Sequence, residues 1–336
     1  MRRYSLLGLL AAAVIMGGLQ AGEEKEDEVA LSDCPKAVQK TLADVGANPS
    51  NTAFVSGIGC AARFPYYIES YGFHTIHGRA PAIATGLKLA NPDLDVWVVT
   101  GDGDSLSIGG NHLMHALRRN IGLKILLFNN EIYGLTKGQY SPTSRVGTTS
   151  PSSPRGSVDT PISPGQFAMG CGAHFFARGV DTDKVGMSDV LQQAHAFTGT
   201  AFIEIFQNCI VYNEDVFANF TERKTAADTQ LHLKHGGPML FGENNDKGIR
   251  FNQKTWSLEV IDATESPDEV LVHDEGNAII ARMLIDLHHP VVMGVIYRQP
   301  AVSFEDAFYA HHPSRMARTK SITDFIKGPS SWTVDG

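Results

Sequence analysis

Close cysteine pairs are missing from this chain of 336 residues. Its four cysteines, Cys34, Cys60, Cys171 and Cys209, lie far apart, with no CxxC spacing. A disulfide framework built on so few would be thin for this length, and structural zinc sites normally show at least one close pair. A basic patch with interleaved aromatics is missing too. The formal net charge is −8 and Arg118-Arg119 is an isolated pair at the end of a helical pattern, placed to complement the helix dipole. Nucleic acid is therefore excluded as the main partner. Long apolar runs are also lacking: Leu6 to Leu19 falls short of the about 20 residues of a comfortable membrane span. That run follows Arg2-Arg3 and precedes Gln20-Ala21-Gly22 and an acidic stretch from Glu23 to Glu28, the layout of a secretory signal peptide. With 43% hydrophobic and 19% charged residues the composition is that of an ordinary soluble globular protein. The length allows one large α/β domain or two smaller ones.

The informative stretch runs from Thr100 to Ser144. Val96-Trp97-Val98-Val99 reads as a buried strand, followed by the acidic turn Gly101-Asp102-Gly103, a helical pattern, a second buried strand at Ile125-Leu126-Leu127-Phe128, and Asn129-Asn130. This is a βαβ crossover, and it brings both loops to one edge of a parallel sheet, where ligands of open α/β folds bind. One loop offers a carboxylate and the other a carboxamide, hard oxygen donors suited to Mg²⁺ beside a diphosphate. GDG alone would read as a tight turn capping a helix. With Asn130 twenty-eight positions after Asp102, behind a buried strand, a cofactor site is favoured.

The arrangement resembles the thiamine diphosphate-binding motif. The wider strings GDGDSLSIGGNHLMHALRRN and NNEIYGLTKGQYSPTS resemble the β subunits of 2-oxoacid:ferredoxin oxidoreductases. So do SGIGCAARFPYY, HGRAPAIATGLKLANP, QNCIVYN, LKHGGPMLFG and DKGIR, from about Lys36 to the C-terminus. The resemblance implies a thiamine diphosphate-binding α/β fold, a mainly parallel sheet with helices on both faces. It implies oxidative decarboxylation of 2-oxoglutarate, or pyruvate, to acyl-CoA and CO₂ with reduction of ferredoxin, and cytoplasmic localisation. Residues 1–28 conflict with that location, and we treat them as a signal-like or foreign segment. Residues 29–215 are expected to form the cofactor domain, and residues 216–336 an extension packing on the core and on an α subunit. A non-oxidative thiamine diphosphate-dependent decarboxylase and a non-catalytic exported binding protein are the alternatives.

The same resemblance assigns the site. Asp102, Asn130 and the backbone near Ile132 would hold Mg²⁺, and Gly101, Gly103, Asp104 and Thr136 would cradle the diphosphate, with Gly134 beside them. His77, at the entry of a helix opened by Thr75 to Ala80, would touch the diphosphate. Gly57, Ile58, Gly59 and Cys60 would lie against the thiazolium ring. Arg63 would receive the 2-oxoacid carboxylate, a task suited to a guanidinium, although an ordinary surface arginine is an equal reading. Leu135 would narrow the substrate pocket. The glutamate that activates the cofactor would come from the α subunit. Cys60 and Cys209 match two ligands of the family's [4Fe–4S] cluster. Asp33-Cys34-Pro35-Lys36 retains Cys34 but not the partner expected beside it, and a cubane wants four ligands. Cys171 reads as a small buried hydrophobe. His112 and His115, three apart with no third ligand near, read as packing. The Ser-, Thr- and Pro-rich segment 136–165 reads as a loop wrapping the active site or the partner.

Overall fold

A computed structural model describes residues 34–312. The chain divides into two units, Met1–Ala30 and Leu31–Gly336, and all described residues belong to the second. Their strands are β1 (Thr52–Ser56), β2 (Tyr71–His74), β3 (Asp95–Gly101), β4 (Leu123–Asn129), β5 (Ile132–Tyr133), β6 (Gln139–Tyr140), β7 (Phe175–Val180), β8 (Ala201–Phe206), β9 (Gln230–His232), β10 (Leu240–Phe241), β11 (Lys247–Asn252), β12 (Ser257–Asp262) and β13 (Val291–Arg298). Eight of them form one sheet in the order β2-β1-β3-β4-β8-β7-β13-β9. From β2 to β7 every pairing is parallel. β13 runs antiparallel to β7 and carries β9 parallel to itself.

The central strands are buried on both sides, which explains their continuous apolar runs. Successive residues alternate between two cores. Val96, Val98, Ile125 and Leu127 face one layer with helices Ala80–Ala90, Gly110–Arg119 and Ala278–Ile285. Trp97, Val99, Leu126 and Phe128 face the other, with helices Cys34–Asp44 and Lys184–Ala196. Phe54 stacks on Phe64 at 5.5 Å and on Trp97 at 5.9 Å. Asp183 accepts from the Gly186 N–H at 3.0 Å to start Lys184–Ala196. Asn120 ends Gly110–Arg119 in the left-handed region, a conformation asparagine tolerates; its side chain then accepts from Thr200 N–H at 3.0 Å, tying the helix to β8. Among the described residues no helix is long and apolar enough to cross a membrane.

Three features differ from the sequence reading. The helix expected after GDG is two helices, Asp102–Leu106 and Gly110–Arg119, with Ser107–Gly109 as the break. The C-terminal segment is more than a packing extension: β9 and β13 continue the main sheet, while β10, β11 and β12 form a separate three-stranded one. The segment 136–165 is not featureless. It contributes β6, paired antiparallel to β5, and the buried hydroxyls of Ser141, Thr143, Ser144, Ser150 and Ser157.

Candidate cofactor site

Because β1, β3, β4 and β8 run parallel, the loops after Ser56, Gly101, Asn129 and Phe206 all emerge at one edge of the sheet. They enclose a cleft whose empty space, open mouth included, is about 720 Å³, within the usual range for cofactor sites. Ile58, Gly59, Cys60, His77, Gly101, Asp102, Gly103, Asp104, Asn130, Ile132, Gly134, Leu135 and Thr136 all line it. Of the residues singled out in the sequence for cofactor contact, Gly57 alone is not in that lining. It lies buried behind Asp104: a Cβ at Gly57 would stand 1.8 Å from Asp104 Oδ2. Arg63 is exposed on the 3₁₀ turn Cys60–Tyr67, outside the lining set.

Asp102 opens its helix and is 2% exposed. Burial pushes its carboxyl above the ordinary value, while the hydroxyls of Ser141 and Thr143 draw it back. Both donate to the same oxygen, Oδ2, at 2.6 Å. Among the described residues no cationic side chain pairs with Asp102. A buried carboxylate held by hydroxyls and the backbone N–H groups of Asp102 and Gly103, with no cation beside it, is a costly arrangement that a divalent cation relieves. Asn130 Oδ1 accepts from the Ile132 N–H at 3.2 Å, and the Asn130 carbonyl accepts from Asn213 Nδ2 at 2.9 Å. Between them Glu131 adopts a left-handed φ of 54°, which reverses the chain so that Asn130 and Ile132 both border the cleft. Such backbone strain concentrates at functional sites. One carboxylate, one carboxamide and one carbonyl suit Mg²⁺, which usually completes its octahedron with phosphate oxygens and water. Among the described residues no three His, Cys, Asp or Glu side chains gather as a metal cage.

Asp104 lines the cleft and is also tied into the fold. Its Oδ1 accepts from the Gly78 N–H at 2.8 Å and its Oδ2 from Thr100 Oγ1 at 2.9 Å. It clamps the loops around β1, β2 and β3, as suits a carboxylate that would repel a diphosphate. His77 is exposed at the mouth, three residues ahead of helix Ala80–Ala90. Thr136 is exposed, its hydroxyl bonded to Gln139, and Leu135 is 59% exposed.

Cys60 and Cys209 converge on Gly134. A Cβ there would lie 3.6 Å from Cys60 Sγ and 3.5 Å from Cys209 Sγ. Partial enclosure, and then the nearby Cys209, raise the Cys60 thiol above its ordinary value, while Arg63 pulls it down. Cys171 packs against the core on the other side of the sheet. Cys34 begins the first described helix, and its side chain lies outside the described residues.

Tyr133, Ile108, Phe128, Ala61 and Gln207 also line the cleft and were not singled out in the sequence. The Tyr133 hydroxyl donates to Gly103 O at 3.1 Å, and its ring would be 2.1 Å from a Cβ at Gly103. The second glycine of GDG is thus required by this ring. The IYG string carried that signal.

Residues 55–205 match the family described as thiamine pyrophosphate enzyme, C-terminal TPP binding domain. The chain is 42% identical to the 2-oxoglutarate oxidoreductase subunit KorB of Mycobacterium tuberculosis, over 94% of this chain and 89% of that protein. It is 41% identical to the 2-oxoacid:ferredoxin oxidoreductase subunit beta of Saccharolobus solfataricus, over 53% of this chain and 59% of that one. Its fold is similar to a solved 2-oxoglutarate:ferredoxin oxidoreductase from Magnetococcus marinus with 2-oxoglutarate, coenzyme A and succinyl-CoA bound. There the TM-score is 0.70 at 28% identity, with 89% of each chain covered.

Proposed function

The chain belongs to the β subunits of the 2-oxoacid:ferredoxin oxidoreductases, and from that membership we propose that it is the thiamine diphosphate-binding half of a cytoplasmic complex oxidising 2-oxoglutarate, with pyruvate as the second candidate. In the balanced reaction 2-oxoglutarate, coenzyme A and two oxidised ferredoxins give succinyl-CoA, CO₂, one proton and two singly reduced ferredoxins. The observation that carries this reading is the meeting of Asp102, Asn130 and Ile132 in one cleft at the carboxyl edge of the sheet. The names of the mycobacterial and magnetococcal proteins support 2-oxoglutarate.

Thiamine diphosphate, when bound, supplies a nucleophilic carbon for the keto group and a sink for the electrons left when CO₂ departs. The chain's own residues bind and orient. Asp102, Asn130 and the Ile132 carbonyl would hold Mg²⁺. Gly101, Gly103 and Thr136 would flank the diphosphate, with His77 at its open side. Gly59 and Cys60 would face the ring, Leu135 would limit the substrate space, and Arg63 would take the substrate carboxylate. Asp102 and Asp104 are the two acids lining the cleft, and both are already hydrogen-bonded. The carboxylate that activates the cofactor therefore comes from an α subunit. Cys60 and Cys209 could supply two thiolates of a [4Fe–4S] cluster. The described residues bring no third thiol to them, so they do not by themselves fit a four-thiolate cluster.

The test is anaerobic purification of the full chain with its α subunit, with iron, sulfide, bound cofactor and ferredoxin reduction measured together. Reduction that depends on both 2-oxoacid and coenzyme A, and is absent from the chain alone, is the expected result. An aldehyde product without ferredoxin reduction would replace this reading with a non-oxidative decarboxylase.

A further inference from the structure

The turn Ser141-Pro142-Thr143-Ser144 touches both halves of the candidate metal site. Its three hydroxyl-bearing residues are 3%, 5% and 3% exposed, and buried hydroxyls need partners. On the β3 side, Ser141 Oγ and Thr143 Oγ1 each lie 2.6 Å from Asp102 Oδ2. On the β4 side, Ser144 Oγ donates to the Glu131 carbonyl, whose peptide continues into Ile132 and is flanked by Asn130. The two contacts are coupled, because the Ser141 N–H donates to Ser144 Oγ at 2.7 Å and Ser141 Oγ lies 3.2 Å from both Thr143 Oγ1 and Ser144 Oγ.

The turn is also anchored away from the cleft. Thr143 Oγ1 lies 3.0 Å from Asn129 Oδ1, Asn129 Nδ2 donates to Glu204 Oε1 at 2.9 Å, and Glu204 Oε2 pairs with Arg178 Nε at 2.7 Å. These last three residues sit on β4, β8 and β7 inside the sheet. Hydroxyls held by rigid strands are the kind of support that keeps a ligand within a fraction of an ångström.

We infer, resting on the thiamine diphosphate reading above, that this turn is the positioning element of the metal site and that its hydroxyls tune the site for Mg²⁺ over a larger cation. Two hydroxyls converging on Oδ2 occupy its lone pairs, and with the backbone N–H groups of Asp102 and Gly103 also bonded to the carboxylate they disfavour a bidentate hold on a cation. Mg²⁺ wants six ligands at about 2.0–2.1 Å, whereas Ca²⁺ takes six to eight at about 2.3–2.6 Å and readily accepts bidentate carboxylates. Ser144 sets the spacing of the opposite wall by fixing the Glu131 peptide. Without the hydroxyls, Asp102 can turn to a bidentate mode and the walls can part, which costs the small ion more than the large one.

The experiment uses the full chain assembled with its α subunit, comparing wild type, Thr143→Val, Thr143→Ser and Ser141→Ala. Thiamine diphosphate is titrated calorimetrically with Mg²⁺ or Ca²⁺ as the sole divalent cation, and the cofactor-free complexes are melted alongside. Thr143→Val keeps the side-chain shape and is expected to weaken Mg²⁺-supported binding by about 10–100-fold, the usual loss when a partner of a metal ligand is removed. Ca²⁺-supported binding should fall by several-fold less, so the preference shifts towards Ca²⁺, and Thr143→Ser should restore it. Ser141→Ala, a smaller deletion, should shift the preference in the same direction. Unchanged affinity, or equal losses with both cations alongside a lower melting temperature, would overturn the inference and leave the hydroxyls a merely structural role. Failure of the wild-type complex to bind thiamine diphosphate would instead overturn the function proposed above, and this inference with it.

Discussion

The two edges of the main sheet bury polar groups in opposite ways. At the amino edge, where β3, β4 and β8 begin, buried charged groups meet backbone groups or one another. Lys124 is 6% exposed and its amine donates to Phe197 O at 2.5 Å and Gly199 O at 3.4 Å. Asp95 accepts from Trp97 Nε1 at 2.8 Å and meets His195 at 3.2 Å. Glu305 caps the Gly122 N–H at 2.9 Å. At the carboxyl edge, Asp102 is equally buried but is met by neutral donors alone, the hydroxyls of Ser141 and Thr143 and the backbone N–H groups of Asp102 and Gly103. The amino edge also carries a sizeable polar cavity, lined by Lys88, Lys124, His195 and Glu305, so neither a hollow nor a buried charge marks function by itself. The mark is a buried charge that borders the cleft with no opposite charge near it, as at Asp102, whereas Lys124 has Asp95 and Glu305 near enough to favour its charged form.

Substitutions at the two edges should therefore fail differently. Asp102→Ala is expected to reduce ferredoxin reduction and thiamine diphosphate affinity by more than about a hundredfold. Circular dichroism and melting of the cofactor-free complex should stay near wild type, since a costly buried charge is removed. A large loss of stability would mean that Asp102 belongs to the fold as Lys124 does. Lys124→Met should give the mirror image. Two buried carbonyls lose their donor, at about 1–3 kcal/mol, read as a lower melting temperature with unchanged cofactor affinity. Cofactor loss at constant stability would end the contrast.

The smallest effect concerns Glu131, between the edges in character. Burial pushes its carboxyl up to about 7 from an ordinary 4.5; Arg145 pulls it down, and Asp102 and Glu204 raise it further. Because the folded value is raised, the stabilisation from the protonated form is complete below about pH 4.5 and is lost as pH rises through about 7. Glu131→Gln should flatten melting temperature against pH in that window, by on the order of 2 °C. An unchanged slope would show that Arg145, 3.1 Å away, already neutralises it.

The residues that could be read from the sequence are those whose position follows from one strand end. Val96–Val99, Ile125–Phe128 and Ala201–Phe206 are continuous apolar runs because both faces are covered, and the turns that follow them fall at one edge by the parallel rule alone. Gln207, directly after Phe206, followed from the same rule and was overlooked, whereas Ile108, in the break between two short helices, reaches the cleft only through tertiary packing. The segment after Thr136 was read as a loop because it is polar. Its serines and threonine are buried for that very polarity, since a carboxylate and a peptide carbonyl needed donors. β9, three residues long, and β13, set beyond a separate small sheet, gave too little periodicity to be joined to the strands they flank. The string GDGD shows two acids alike, and only the positions of Gly78 and Thr100 reveal that Asp104 also ties the loops together.

Gly134 carries one more consequence. It lines the cleft and also packs against the sulfurs of Cys60 and Cys209, with no side chain of its own. Cys60 borders the cleft itself, and at Gly134 a single peptide backbone stands between the cleft and Cys209. A charge moving from the cleft towards those sulfurs meets no insulating layer there; an alanine methyl would still fit in ordinary contact with both sulfurs, 3.5 and 3.6 Å away, and only a longer side chain would have to displace them.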